Sequence, residues 1–387
     1  QAEVKVVDII KEYTSHFNSW IVDKGYNIAV GYLRPLYDLF YNAYFKYPVE
    51  KASVCPPQTS VKSLNGKLLK LIYEFKPDVI YTTTYYGGMA LANLRRVYKL
   101  PSFNIVCMLD YVVSPFWEPS IGGVEILTMA HEDNRAKLLE KGFDNKNLLM
   151  TGIPVSDKFS KEIDKTKARE MLGIDKDLFT VFIFYGGGHW QGSYGILKAL
   201  LKGVKKKIQI IICNGHNEKT KKKIDKEMSK YPENFKIVNY GFVNNVDVIM
   251  SASDVMIGKG GGLSTTEAVN KGLPLIATYK LPGQEYYNIQ FLKEKGVALS
   301  FGNYKELVRH INYLYDSRDV LTRMSLGMKE MKTTAIDTIA ELIMSQPDAD
   351  YDGINTSLDY GKVNKIVNHA RKRRYKEIKK QKKNMRK

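Results

Sequence analysis

Gly258-Lys259-Gly260-Gly261-Gly262-Leu263-Ser264-Thr265-Thr266-Glu267-Ala268 follows the apolar run Asp254 to Ile257 (DVMI) and opens a helical pattern, and this strand, glycine turn and helix decide the fold. Glycines without Cβ atoms let the backbone approach a ligand closely, and the N–H groups at a helix start bind a diphosphate. Ser264 and Thr265 add hydroxyl donors. Glu267 is placed in the first turn of the helix, able to accept hydrogen bonds from ribose hydroxyls; the same residue would also serve as an ordinary first-turn carboxylate complementing the helix dipole. A second glycine turn, Tyr185-Gly186-Gly187-Gly188-His189-Trp190-Gln191, follows the run Thr180 to Tyr185 (TVFIFY). On one parallel sheet, Gly187 and Gly188 would converge with the first turn on the crevice where open α/β folds bind ligands. Neither turn holds the GK[ST] of a Walker A loop, which disfavours ATP hydrolysis.

Leu281-Pro282-Gly283-Gln284-Glu285-Tyr286-Tyr287-Asn288 comes next, after Pro274 to Thr278 (PLIAT). Gln284, Glu285 and Asn288 bring two amides and a carboxylate to a helix start, a set suited to sugar hydroxyls, which are donors and acceptors at once. A turn followed by a helix cap is the plainer reading of the same residues.

Outward from these motifs, Ile208 to Cys213 and Lys236 to Asn239 complete a βαβ rhythm, the mark of a parallel sheet covered by helices. The first half repeats the grammar with strands expected at Val4 to Ile9, Val79 to Thr83, Phe103 to Leu109, Val124 to Thr128 and Asn147 to Thr151. Residues 1–155 therefore read as one Rossmann-like domain, 156–345 as a second and 346–387 as a basic tail, with Gly152-Ile153-Pro154 and the charged segment Asp157 to Lys176 as the linker. Between residues 21 and 47, Leu33, Leu36, Tyr37, Phe40, Tyr41 and Tyr44 approximate a helical stripe, which either packs on the core or dips aromatics into a lipid headgroup layer.

The 387 residues suit two domains with a cleft between them. The chain holds 44% hydrophobic residues in short runs, none the ~20-residue apolar stretch of a membrane span. Cys55, Cys107 and Cys213 form neither a CxxC pair nor a disulfide framework, as in a reducing cytosol. A net charge of +18, concentrated in Arg371 to Lys387 with eleven Lys or Arg against one Glu, draws the chain to polyanions. No RRM, KH or zinc-finger pattern favours nucleic acid, so an anionic membrane face in the cytoplasm is expected. Asp348-Ala349-Asp350 lies after the expected folded part, and no metal or other cofactor is expected. Asp110, which follows the apolar run FNIVCML and precedes Tyr111, Phe116 and Trp117, is a candidate base at the cleft; such an Asp is also a common turn residue.

GKGGGLSTTEA, GLPLI and PGQEYYN, with the earlier TGIPV and LDYVVSPFW, resemble the monogalactosyldiacylglycerol synthase and processive diacylglycerol glucosyltransferase family of GT-B glycosyltransferases, relatives of MurG, over about residues 1 to 300. The resemblance implies an α/β GT-B fold of two Rossmann-like domains facing across a cleft. It also implies inverting, metal-independent transfer from UDP-glucose or UDP-galactose to diacylglycerol or a glycosyl-diacylglycerol. Gly261, Gly262, Leu263, Ser264 and Thr265 would hold the diphosphate, Glu267 the ribose, Gln284 and Glu285 the sugar, and the backbone of Phe242 and Val243 the uracil. Family members begin with a strand and a GGGH-type loop whose histidine is a candidate base, and this sequence starts beyond it; His189, in the second domain, is not given that role. Rival readings are a UDP-N-acetylglucosamine transferase or 2-epimerase of the same fold and a non-catalytic UDP-sugar-binding membrane protein.

Overall fold

The computed structural model describes residues 2–13, 56–185, 192–228, 235–278 and 283–352, with 362, 363, 365, 366 and 369 beyond these. The aromatic stripe of residues 21–47, the glycines Gly187 and Gly188 with His189, and the basic run 371–387 lie outside the described residues. Packing divides the chain into one unit of Gln1–Leu109, Val113–Thr151 and Thr338–Lys387 and a second of Asp110–Val112 and Gly152–Asp337. The sequence reading drew its limits at 155 and 345 instead.

The first unit runs α1 (Ile9–Tyr13), α2 (Pro56–Phe75), β1 (Val79–Thr82), α3 (Tyr85–Tyr98), β2 (Phe103–Cys107), β3 (Ile126–Met129), α4 (Asn134–Glu140) and β4 (Leu148–Met150). Its strands form one parallel sheet in the order β1-β2-β3-β4. Four of the five expected strands are present. The fifth, Val4 to Ile9, is not a strand: Val4 and Val6 are exposed, and a helix starts at Ile9. Two carboxylates decide this. Asp8 Oδ1 accepts the Lys11 N–H at 3.0 Å and Glu12 Oε1 accepts the Asp8 N–H at 2.8 Å, satisfying orphan donors at a helix start in the manner of a capping box.

In the second unit α5 (Lys165–Met171), β5 (Phe179–Phe184), α6 (Gly192–Gly203), β6 (Ile208–Cys213), α7 (Glu218–Met228), β7 (Phe235–Tyr240), α8 (Val246–Ala252), β8 (Val255–Gly258), α9 (Gly262–Asn270), β9 (Leu275–Thr278), α10 (Gln284–Glu294), β10 (Ala298–Phe301), α11 (Tyr304–Asp316) and α12 (Arg318–Glu330) follow in turn, and α13 (Ala335–Met344) runs from this unit into the first. The sheet is parallel throughout, in the order β10-β9-β8-β5-β6-β7. That is the Rossmann order, and its switch point lies between β5 and β8, the strands that lead into the two glycine turns. Both faces are covered: Val181, Phe182, Ile183, Ile210, Ile211 and Ile257 are fully buried, as near-continuous apolar strands of a parallel sheet require. β10 was not read from the sequence, because ALSF is short and only its end residues are buried.

Two expectations are corrected by packing. Asp157 to Lys176 is not a linker. Buried Arg169 pairs with Asp254 at 2.8 Å and donates to the Ala252 carbonyl, while Asp254 also accepts the Thr180 N–H at 2.7 Å, so α5 is bolted to the start of β8 and β5. The segment Asp348 to Asp350 does not lie outside the folded part. The Ala349 N–H donates to Asp78 at 2.7 Å and Tyr351 Oη to the Pro77 carbonyl at 2.9 Å, so the chain packs back on the first unit well past residue 346.

Candidate donor-sugar site

β8 ends at Gly258, where a Cβ would stand 2.7 Å from the Phe184 carbonyl oxygen of the neighbouring strand, so only glycine lets β8 and β5 finish side by side at the switch point. The chain then turns through Lys259 and Gly260 into α9, whose N-cap, Gly261, has extended dihedrals (φ −69°, ψ 136°) and no side chain to cap the helix. Helix geometry leaves the N–H groups of Gly262, Leu263 and Ser264 without acceptors inside the helix, and the macrodipole adds partial positive charge there. Leu263 is exposed, and the Ser264 hydroxyl leans back toward the Gly261 carbonyl at 3.4 Å.

Two residues of this run sit differently from the expectation. Thr265 is fully buried; its N–H goes to the Gly261 carbonyl at 3.0 Å, so neither its hydroxyl nor its amide faces outward with the helix start. Glu267 stands in the second turn, not the first, because the helix begins only at Gly262. Burial pushes its carboxyl up to about 7, and the nearby Lys158 ammonium only partly opposes this.

Gly260 joins the first motif to the third. A Cβ there would fall 2.4 Å from the Glu285 carbonyl oxygen and 2.6 Å from Ile289 Cγ1, so the glycine turn rests directly on the first turn of α10. Gly283, before that helix, adopts φ 76° and ψ −144°, a region open essentially to glycine alone, which explains the glycine of the PGQE string. Gln284 and Glu285 open α10 half-buried, and Glu285 Oε1 pairs with Lys259 Nζ at 3.1 Å. Asn288 corrects the reading that made it a sugar ligand. It is fully buried and turned inward: its amide donates to Asp110 Oδ1 at 3.1 Å and to the Gly260 carbonyl at 2.9 Å, and its oxygen accepts the Tyr111 N–H at 2.8 Å.

Asp110, Tyr111 and Val112 belong to this unit although the residues before and after the three do not. Tyr111 is buried, stacks on Phe291 with ring centroids 5.4 Å apart, and hydrogen-bonds Thr266 Oγ1 at 2.9 Å; Thr266 in turn donates to the Gly262 carbonyl at 2.8 Å. A single side chain thus braces both α9 and α10. Asp110 is 8% exposed, and its carboxyl is pushed up to about 6 by burial, with the Asn288 amide opposing and the Glu285 charge adding to the rise.

Phe242 and Val243 follow β7, at the end of the strand order away from β10, and Phe242 is exposed. Its ring lies flat against His216, centroids 4.7 Å apart and planes 10° from parallel. His216 was missed in the sequence, although its place in the turn Asn214-Gly215-His216 directly after β6 is the kind of strand-end position that marks such sites.

A parallel sheet in Rossmann order with a glycine-lined helix start at its switch point, on a chain with a second parallel α/β unit, is the GT-B fold. Crystallised Acinetobacter baumannii MurG is similar in fold, with a TM-score of 0.57 at 15% identity over 74% of this chain and 79% of that one. Anabaena Alr3699/HepE, crystallised with UDP, gives 0.50 at 17% identity over 73% and 82%. The family model for monogalactosyldiacylglycerol (MGDG) synthase matches residues 1–155 and that for the glycosyltransferase family 28 C-terminal domain matches residues 191–342. Together the two matches reach both units, so the chain is similar to monogalactosyldiacylglycerol synthase in its first part and to family 28 glycosyltransferases in its second. A curated relative, the processive diacylglycerol beta-glucosyltransferase of Bacillus licheniformis, is 26% identical over 286 residues, 73% of this chain and 71% of that protein.

Proposed function

We propose that the chain transfers glucose from UDP-glucose to diacylglycerol or a glycosyl-diacylglycerol, with inversion at the anomeric carbon and without a metal. The observation that carries the donor half is the seating of Gly260 on α10, which brings the free N–H groups of α9 and the polar start of α10 to one place. The diphosphate sits at the N–H groups of Gly262, Leu263 and Ser264, Glu267 takes the ribose, and Gln284 and Glu285 read the sugar. The uracil lies by Phe242 and Val243. The lipid half rests on the relative's name, and so does inversion, since an α-linked donor yielding a β-glucoside has been displaced from behind. Galactose is the second reading, favoured by the synthase model that matches residues 1–155.

The step is one displacement: the lipid hydroxyl oxygen bonds to C1 as the bond from C1 to the phosphate oxygen breaks, its electron pair remaining on UDP. Fixed dipoles at the start of α9 meet that charge without reorganising. Asp110 is the proposed acceptor of the hydroxyl proton, being ionised near neutrality yet basic enough to take it. The protein works peripherally on an anionic cytoplasmic leaflet. No helix of the described residues is long and apolar enough to cross a membrane, and the charge of +18 supplies the attraction.

Incubating the chain with diacylglycerol vesicles and either UDP-hexose is expected to give glycolipid and UDP, faster from UDP-glucose. A free sugar as sole product would point to the epimerase instead, and no product from any UDP-hexose would remove the proposal. Co-sedimentation with vesicles should need anionic lipid and weaken as salt rises; salt-independent binding would contradict the leaflet assignment.

A further inference from the structure

We infer that Lys259 is a ligand of the donor's β-phosphate, and that it reaches the phosphate by leaving Glu285. The inference rests on the donor-site reading above and adds a residue to it.

The glycine turn contains a single cation, and the structure shows what it does in the free protein. Lys259 Nζ lies 3.1 Å from Glu285 Oε1, with the two side chains 27% and 17% exposed. The space both groups face is defined by Gly261. The point where a Cβ would stand is 3.5 Å from Lys259 Cε, 3.5 Å from Ser264 Oγ and 3.6 Å from Glu285 Oε1. These are ordinary contact distances, so an ammonium arm, a hydroxyl and a carboxylate frame one spot at the N-cap of α9 without filling it. Immediately beyond are the N–H groups that lack helical acceptors.

Electrostatics gives the arrangement a direction. A carboxylate beside a diphosphate site repels the ligand, and in the free protein Lys259 neutralises it. A diphosphate brings more negative charge than one carboxylate, so the ammonium gains by turning to it. Lysine suits such an exchange, because its charge is a point with three rotatable donors on a flexible stem. Once released, Glu285 is free to accept hydrogen bonds from the sugar hydroxyls. Phosphate binding and sugar reading are thereby coupled through one ion pair. When the C1–O bond breaks, the electron pair left on the β-phosphoryl oxygen falls beside Lys259.

Titration of the full chain with UDP and with UMP separates this role from a structural one, because only UDP carries the β-phosphate. For Lys259→Met, UDP affinity and kcat should each fall about 10- to 100-fold, the effect of losing one charge-assisted hydrogen bond, while UMP affinity and the melting temperature stay near wild type. Lys259→Arg should restore most of the UDP preference. Equal losses for UMP and UDP, or a Lys259→Met enzyme that keeps the UDP preference and its kcat, would overturn the inference alone. A wild-type chain that binds neither nucleotide would overturn the donor-site reading and this inference with it.

Discussion

Asp110 and Glu267 are two carboxyls held above their ordinary range mainly by burial, and each carries a test. With Asp110 pushed up to about 6, kcat should fall as pH drops through that value. Asp110→Asn keeps the size and a partner for Asn288, and it should lower kcat about 10²- to 10⁴-fold, the range for a general base. A variant of near-normal rate in a pH profile would show that Asp110 only positions Tyr111 and Asn288. Glu267 affects the fold as well. Its folded value, about 7, lies above the unfolded one, so the folded state holds the extra proton between roughly pH 4.5 and 7. The stability this gives is present below that window and is lost as pH rises through it. Glu267→Gln should therefore raise thermal stability at pH 8, by roughly 1 kcal/mol, with the gain vanishing near pH 4.5, while weakening UDP binding. Melting curves at the two pH values would check it; an equal gain at both would contradict the burial argument.

At the scale of elements, α9 and α10 hold the site, and one segment of three residues ties them together. Asn288 bonds Asp110, the Tyr111 N–H and the Gly260 carbonyl, so Asn288→Ala leaves several buried polar groups without partners. Tyr111→Phe removes one bond only, and Thr266 keeps its bond to the Gly262 carbonyl. Denaturant unfolding should show a loss of about 2–4 kcal/mol for Asn288→Ala and about 1 kcal/mol for Tyr111→Phe; the reverse order would mean that the hydrogen bond from Tyr111 to Thr266, not the Asn288 amide, holds the helices. Elements built on strong local signals were legible in the sequence: apolar β-branched runs gave β5 to β9, and glycine turns located the starts of α9 and α10. What was not legible came from tertiary partners. The two valines at Val4 and Val6 gave a strand signal, but Asp8 and Glu12 cap a helix immediately after. Asn288 looked like a ligand because only folding shows Asp110, distant in sequence, filling its amide.

For the whole molecule, two parallel α/β units could be read from periodicity alone, but their limits could not. Asp110–Val112 packs with the second unit and the chain from 338 to 352 with the first, and such exchanges leave no mark in composition. The motifs behind the resemblance were legible because close backbone packing at the switch point fixes glycines at set spacings. Three of these, Gly258, Gly260 and Gly283, are each required by a close approach or a positive φ. The lipid half of the function has no comparable signature among the described residues and follows from kinship. The central claim is inverting glycosyl transfer from UDP-glucose to diacylglycerol, and the anomeric configuration of the glycolipid tests it most directly. Proton NMR of the product made by the chain from UDP-glucose and diacylglycerol should show a β-linked glucosyl group; an α-linked product, or no glycolipid from a chain that binds UDP, would contradict the account.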